Sequence, residues 1–507
     1  MHRSSSLVVI GLLAACGSAS EATSTQPTQP TFVNPGTSGV FVSSSLGNDA
    51  NDGTFSRPLR TLGAAIVTAQ KSGMAVLACA ETFTERVDVT ASVTIQGGFR
   101  CADFSWSSTN EHARLESATS PALRVHDADA LSLTRFDIVA LDVPRSARPE
   151  DSTALALEVR NVKNVHLTSS LLRAGKGRDG DDSKLPPPFL GRGLNGAAAI
   201  DAGKCAESGR CESAPGVLAA HPGGAGGVGQ CVEDLAGPVV LASHPGGNGG
   251  SGDQTNNSNF VLAGSPGLPQ DVTPATAKGG WFNSAGTNGA DGDVGSAGPN
   301  GVALLTANGF VIGDGTAGKT GAAGQGGGGG GSGDHINQPT DACGVDRCPP
   351  YRAGSWQGAA GAGGGAGGCP GRAATAAGGG GASIALFLVE SSATLDDVRI
   401  EARGGGIGGL GSLGTPPTDG GSGGNGAPYG HGGAGGHGGR GGFAGGTGHG
   451  ASGPTYGLVH AGGAPTMNGV TFLVGPGGGW RESIQQNGHY IRGTDGAESA
   501  EVKPVPH

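Results

Sequence analysis

The sequence predicts an all-β fold in which coils of short strands stack as a parallel β-helix and long glycine-rich excursions leave between coils. Three observations predict it. Small or apolar residues recur in pairs two apart along several separate stretches, the period of one strand face. Those stretches are separated by inserts in which glycine dominates. Glycine supplies 104 of the 507 residues, where an average soluble protein has about 7%. Aromatic residues are only 4% and charged residues 14%. Low charge separates the chain from tails kept unfolded by self-repulsion. The net charge of −10 excludes nucleic acid as the expected partner, because that role needs a basic groove.

In "MHRSSSLVVIGLLAACGS", Arg3 precedes an apolar run from Leu7 to Ala15. The run is too short for a bilayer-spanning helix but suits the apolar region of a signal peptide. It ends in "LAAC", which resembles the lipobox of bacterial lipoproteins. The resemblance implies a signal over residues 1–16, with Cys16 as the lipidated new N-terminus. Gly17, rather than Asp, follows; by the same resemblance this implies the outer membrane and display at the cell surface. Residues 17–36, rich in Ser, Thr, Gln and Pro, read as a tether.

Residues 37–173 read as the first part of the β-helix with its cap. Val40 and Val42 open a strand, and "GNDANDGT" (47–54) is a turn-rich loop. Leu62, Ala65, Ile66 and Ala69 recur at helical spacing, predicting one short helix. Short strands then follow at Val76–Cys79, Val87–Val89 and Val93–Ile95. The ordered run of loop, P-x-R-T-L helix and strands over 39–100 resembles the N-terminal end of right-handed parallel β-helix proteins of the pectate-lyase-like superfamily. The resemblance implies the fold, its right hand and its capping helix. It implies no activity, because the catalytic residues of the lyase members lie on later coils.

Internal repetition is a separate test. Leu123, Val125, Leu131, Leu133, Phe136 and Ile138 set the spacing. Leu157, Val159, Val165, Leu167, Ser170 and Leu172 match it. So do Ala385, Phe387, Ala393, Leu395, Val398 and Ile400, and then Gly457, Val459, Pro465, Met467, Val470 and Phe472. Three strand pairs per unit describe one coil stacked on the next. The coils at 382–402 and 455–480 are therefore set apart by inserts at 174–381 and 403–454. Residues 481–507 read as a tail.

The inserts carry glycine at triplet spacing, as in "PGGAGGVG" (222–229), "PGGNGGSG" (245–252) and "GGAGGHGGRGG" (432–442). Collagen needs an unbroken register and abundant proline; neither is present. The spacing instead predicts polyglycine II-like helices with three residues per turn. Two glycines per turn let neighbouring backbones touch, and the third residue points outward. In 431–442 the outward set is His431, Ala434, His437 and Arg440. Removing Cys16 leaves Cys79, Cys101, Cys205, Cys211, Cys231, Cys343, Cys348 and Cys369. An even number in an exported chain predicts disulfides. Cys79 and Cys101 lie one coil apart and pair with each other. The other six pair within the large insert and staple it. The small insert has no cysteine and is expected to be mobile.

No catalytic constellation is evident. At the outward coil positions the units carry Asp137, Leu171, Arg399 and Thr471 in one row, and Ser132, His166, Thr394 and Thr466 in another. Neither is a carboxylate ladder. Acidic groups at 48–52, 179–182 and 395–397 read as turns or solvated faces. His431, His437 and His449 read as polar tips, not a metal set. The cysteine spacings lack the tight pairs of zinc sites. "GGSGDH" (330–335) lacks the tandem calcium repeat, and "GRGLNG" (191–196) lacks the flanking strand and helix of a phosphate site. The sequence thus calls for no cofactor, metal or catalytic residue. It predicts a lipid-anchored outer-membrane protein with a structural or adhesive role, binding a glycan or a surface protein. The alternatives are a carbohydrate-active β-helix enzyme and a passive spacer.

Overall fold

In a computed structural model, the parallel strands begin with Val40–Val42 and end with Ser499–Pro504. The structure describes residues 38–101, 107–108, 110–191, 193–199, 223–232, 239–242, 244–251, 264–267, 277–281, 284–333, 359–427, 432–479, 481, 484–486, 489–491 and 496–506. Cys16, the tether, His431, Cys205, Cys211, Cys343 and Cys348 lie outside the described residues.

The expected helix is Leu62–Ser72. The Thr61 side chain caps it by accepting the Ala64 N–H, and Gly73 ends it in the left-handed conformation. Its apolar face, Leu62, Ala65, Ile66 and Ala69, is buried on the first strands. The Glu85 carboxylate accepts from the free N–H groups of Leu62 and Gly63, at 2.8 and 3.1 Å, which meets the unpaired donors of a helix start. The neighbouring loop is held by Glu81. It accepts from the hydroxyls of Ser44 at 2.8 Å and Ser45 at 2.5 Å, and from the Ser45 N–H at 3.1 Å. Burial raises its pKa, but the Ser43, Ser44 and Ser45 donors outweigh burial and leave it below the ordinary value of 4.5. A depressed folded pKa contributes stability above the unfolded value that is lost as pH falls through the folded one. The N-terminal cap should therefore loosen below about pH 4, and Glu81→Gln should remove that acid sensitivity in amide exchange of residues 40–46.

The described strands are mostly parallel, and sixteen of them form one sheet that curls into a half-barrel. Its centre is the long strand Ala154–Lys176. On one side it pairs with Leu123–Thr134, so that Val159 faces Val125 and Leu167 faces Leu133. On the other it pairs with Ser383–Val389 and Ala393–Gly404, so that Val159 faces Leu388 and Leu167 faces Leu395. Aliphatic columns of this kind, with each side chain at most 1% exposed, supply the hydrophobic stabilisation.

Two corners turn the chain between faces. Both are columns of residues with positive φ. One runs through Asp127, Asn161, Glu390 and Gly462, the other through Arg135, Ser169, Asp397 and Gly469. Left-handed backbone disfavours most side chains but is tolerated by Asn and Asp, and polar rungs join neighbours within each column. Asn161 Nδ2 donates to Asp127 Oδ1 at 3.0 Å, and Ser169 Oγ to Asp397 Oδ2 at 3.1 Å.

Two expectations about the coils need correction. The residues stacked on Leu157 and Val159 are Leu386 and Leu388, not Ala385 and Phe387. The chain takes four residues from Asn161 to Val165 but three from Glu390 to Ala393, which lie at matching positions. Strand Ser383–Val389 is buried at every position, so alternation carries no register information there. Its outward residue Phe387 is covered by the hairpin of Leu304–Thr306 and Gly309–Val311, through Leu305, Ala307 and Phe310. Arg160 joins the two by donating to the Ala307 carbonyl at 2.7 Å, its guanidinium 5.3 Å from the Phe387 ring centre. The second correction concerns 481–507. Ser499–Pro504 adds another parallel strand, Leu458 facing Val502, so this segment is more than a tail.

Both inserts leave the coils at the same corner and build one bundle. In segment 313–333 successive residues bond to different neighbours. Thr316, Lys319, Ala322, Gln325, Gly328 and Gly331 donate to Pro299, Ser296, Asp293, Ala290, Thr287 and Ser284. Gly324, Gly327, Gly330 and Gly333 donate to Gly368, Gly365, Ala362 and Ala359. A repeat of three to the same neighbour is the mark of an extended helix with three residues per turn. The small insert, expected to be mobile, is part of this lattice. Gly433, Gly436, Gly439, Gly442, Gly445 and Gly448 donate to the carbonyls of Gly331, Gly328, Gln325, Ala322, Lys319 and Thr316. Backbone bonds to the large insert hold it, so it needs no cysteine of its own.

Glycine spacing follows the number of packed sides. A Cβ added at Gly289, Gly292 or Gly295, one in three along 286–301, would sit 1.9–2.1 Å from a carbonyl oxygen of segment 313–333. In 433–448 two rows are closed in the same way, Gly436 against Thr287 and Gly435 against Gly363. In the run Gly326–Gly331 all six positions are closed, within 2.3 Å of a neighbouring carbonyl oxygen.

Candidate functional site

The bundle's open face is the candidate site, because the lattice places its non-glycine side chains in rows. Gly435, Gly438 and Gly441 donate to Gly424, Gly421 and Thr418, and Gly286, Gly289 and Gly292 donate to Ala434, His437 and Arg440. Three segments therefore lie side by side. Exposed residues at every third position are Asp419, Ser422 and Asn425 on the first, His437, Arg440 and Phe443 on the second, and Asn288, Asp291 and Val294 on the third. With about 3.1 Å rise per residue, rows repeat at about 9.3 Å along each segment.

Outward N–H groups have no neighbouring backbone, and flanking side chains satisfy several of them. Ser422 N–H bonds to Asn195 Oδ1 at 2.9 Å, His437 N–H to Asn288 Oδ1 at 2.8 Å and Arg440 N–H to Asp291 Oδ1 at 2.8 Å. These acceptors also fix the side chains that form the face. Arg440 Nε lies 3.4 Å from Asp419 Oδ1, and its guanidinium lies 4.9 Å from the Phe443 ring centre. Of the expected outward set, His437 and Arg440 are exposed and Ala434 is half-buried. Asn248, exposed elsewhere on the bundle, accepts the Gly226 N–H at 2.8 Å.

Two disulfides lie in the described residues. The sulfurs of Cys79 and Cys101 are 2.06 Å apart, and those of Cys231 and Cys369 are 2.00 Å apart. The second joins two parts of the large insert. Phe189 packs on it, and Arg372 lies over the Phe189 ring at 5.0 Å while donating to the Pro187 carbonyl at 2.9 Å. Sequence reasoning did not single out Phe189, which is distant from both cysteines along the chain, or Arg372, which follows shortly after Cys369.

The acidic stretches are engaged by protein donors. Asp49 accepts from the Arg60 and Thr61 N–H groups, both at 2.9 Å. Asp179 and Asp182 accept from Ile407 and Leu410 N–H, both at 2.9 Å, which ties the two insert stems together. Asp396 accepts from Asn468 at 2.8 Å. His437 is exposed, whereas His449 is buried and its Nε2 has no partner. The two therefore differ in access to solvent. Among the described residues no three His, Cys, Asp or Glu side chains are grouped to hold a metal.

On the strands, buried carboxylates sit between basic side chains. Asp137 lies 2.7 Å from His112 and 3.6 Å from Arg114, and accepts Leu171 N–H at 3.1 Å. Glu158 lies 2.8 Å from Arg124 and 2.5 Å from Arg160. Glu401 lies 2.6 Å from both Arg173 and Arg399. Their geometry serves cross-coil pairing. It could be read only in part from sequence, since Asp137 stood in a predicted outward row but His112 lies outside the repeat.

No known protein family, curated protein or solved structure matches the chain.

Proposed function

We propose that the chain is a right-handed parallel β-helix carrying a polyglycine II bundle, and that it is a structural or adhesive protein of the cell surface. The observation that carries this reading is the hydrogen-bonded lattice that sets outward side chains in rows. Such a face is ordered before any partner arrives, so binding does not bear the entropy cost of ordering it. A passive flexible spacer would have no use for glycine rows matched segment by segment to neighbouring carbonyls. Anchoring belongs to the same reading: lipid on Cys16 would hold the N-terminal end at the outer membrane. Purified full-length protein should bind a glycan array or intact cells, and the absence of both would overturn the adhesive role. Cys16→Ser should move the protein from the membrane fraction to the soluble fraction. Unchanged partitioning of that variant would remove the lipid anchor.

A further inference from the structure

Between segments 193–199 and 415–425 the bundle face opens into a cavity of about 490 Å³. This is within the roughly 300–1,000 Å³ range of small-molecule sites. Gly193, Asn195, Pro417, Thr418, Asp419 and Ser422 contribute to its lining. Its chemistry narrows the ligand. The lining offers backbone groups, hydroxyls, an amide and a carboxylate, and no large apolar side chain, so a lipid or an aromatic ligand finds no matching wall. Among the described residues the cation beside the lining is Arg440, already 3.4 Å from Asp419, so a phosphate or polyanion meets a carboxylate along with the guanidinium. A ligand rich in both donors and acceptors and without net charge fits best.

We propose that this cavity is a carbohydrate-binding subsite that takes one pyranose unit of a neutral oligosaccharide. Asp419, whose side chain is 88% exposed beside Arg440, accepts from sugar hydroxyls. Ser422 Oγ and the Arg440 guanidinium supply hydroxyl and N–H donors. The Asn195 amide oxygen is held by Ser422 N–H, leaving its NH₂ to donate. Neighbouring sugar units would run over the outward rows. This rests on the adhesive reading above and names its ligand.

The test is binding of full-length protein to immobilised neutral hexose and N-acetylhexosamine oligosaccharides, with uronic-acid oligosaccharides alongside. Neutral sugars should be retained. Asp419→Ala and Ser422→Ala should each weaken retention, Asp419→Ala by roughly tenfold as expected for a hydrogen bond to a charged group. Thr466→Ala, on an exposed coil strand, should change nothing. Amide exchange over 418–425 checks that each variant keeps its lattice. Wild-type affinity in both cavity variants would overturn the subsite and leave the adhesive role standing. Preference for the acidic sugars would overturn the neutral ligand. Binding to intact cells without any glycan would overturn the ligand class alone, and binding to neither would remove the adhesive reading with it.

Discussion

Gly364→Ala is expected to open the glycine-rich bundle while the strand coils stay folded. Gly364 lies where segments 244–250, 224–227 and 324–333 meet. Its N–H donates to Gly247, and its carbonyl accepts from Gly227, both at 2.8 Å. A Cβ there would sit 2.1 Å from the Gly327 oxygen and 2.6 Å from the Gly327 carbon. Both are backbone atoms, so no side chain can swing aside. Separating the segments enough to admit a methyl group also lengthens the flanking hydrogen bonds. Overpacking together with weakened bonds should cost about 3–5 kcal/mol. The gain from a stiffer unfolded chain, about 0.4–1 kcal/mol, does not offset it. The effect should appear as lost amide protection at 223–232, 244–251 and 324–333, with protection at 385–400 unchanged. Gly463→Ala, which meets nothing within 4 Å, should be nearly neutral. A Gly364→Ala protein that keeps full protection would mean that the backbones are not in contact there.

Breaking the Cys231–Cys369 bond is the second large effect. The two cysteines are 138 residues apart and both fully buried. A cross-link closing a loop of that length lowers the entropy of the unfolded chain, by about 5 kcal/mol in the simple chain model and commonly 2–4 kcal/mol in practice. The bundle depends on such a constraint more than the coils do. Its glycines lose the most conformational freedom on folding, and it has few side chains to bury in return. Cys231→Ala with Cys369→Ala should therefore lower the bundle's unfolding temperature well before that of the coils. Protection should be lost first at 223–232 and 359–369. Simultaneous loss at 385–400 would show instead that bundle and coils unfold as one unit.

The N-terminal cap was legible from local pattern. Leu62, Ala65, Ile66 and Ala69 keep helical spacing behind a Thr that caps, and both the period and the cap are properties of a short window of sequence. The coil repeat was legible for a similar reason, because Leu131, Leu133, Val165 and Leu167 alternate between one buried face and one polar face. It failed at Phe387. There the outer face is also covered, by a hairpin from a distant insert, and alternation disappears. The open face was legible in part: glycine spacing singled out His437 and Arg440 as outward, but nothing local placed Asp419 or Asn195 beside them.

By itself the sequence determined how many sides of each glycine-rich segment are closed. One glycine in three, two in three or an unbroken run states how many neighbouring backbones pass too near for a Cβ. Only the tertiary structure decided which backbones those are. Every peptide offers the same N–H and C=O, so a glycine row has no side-chain code by which to name its partner. Arg440 N–H meets Asp291 across 149 residues because the two inserts leave the coils at the same corner. Asp179 and Asp182 fix their stems in step, and each later triplet inherits that register.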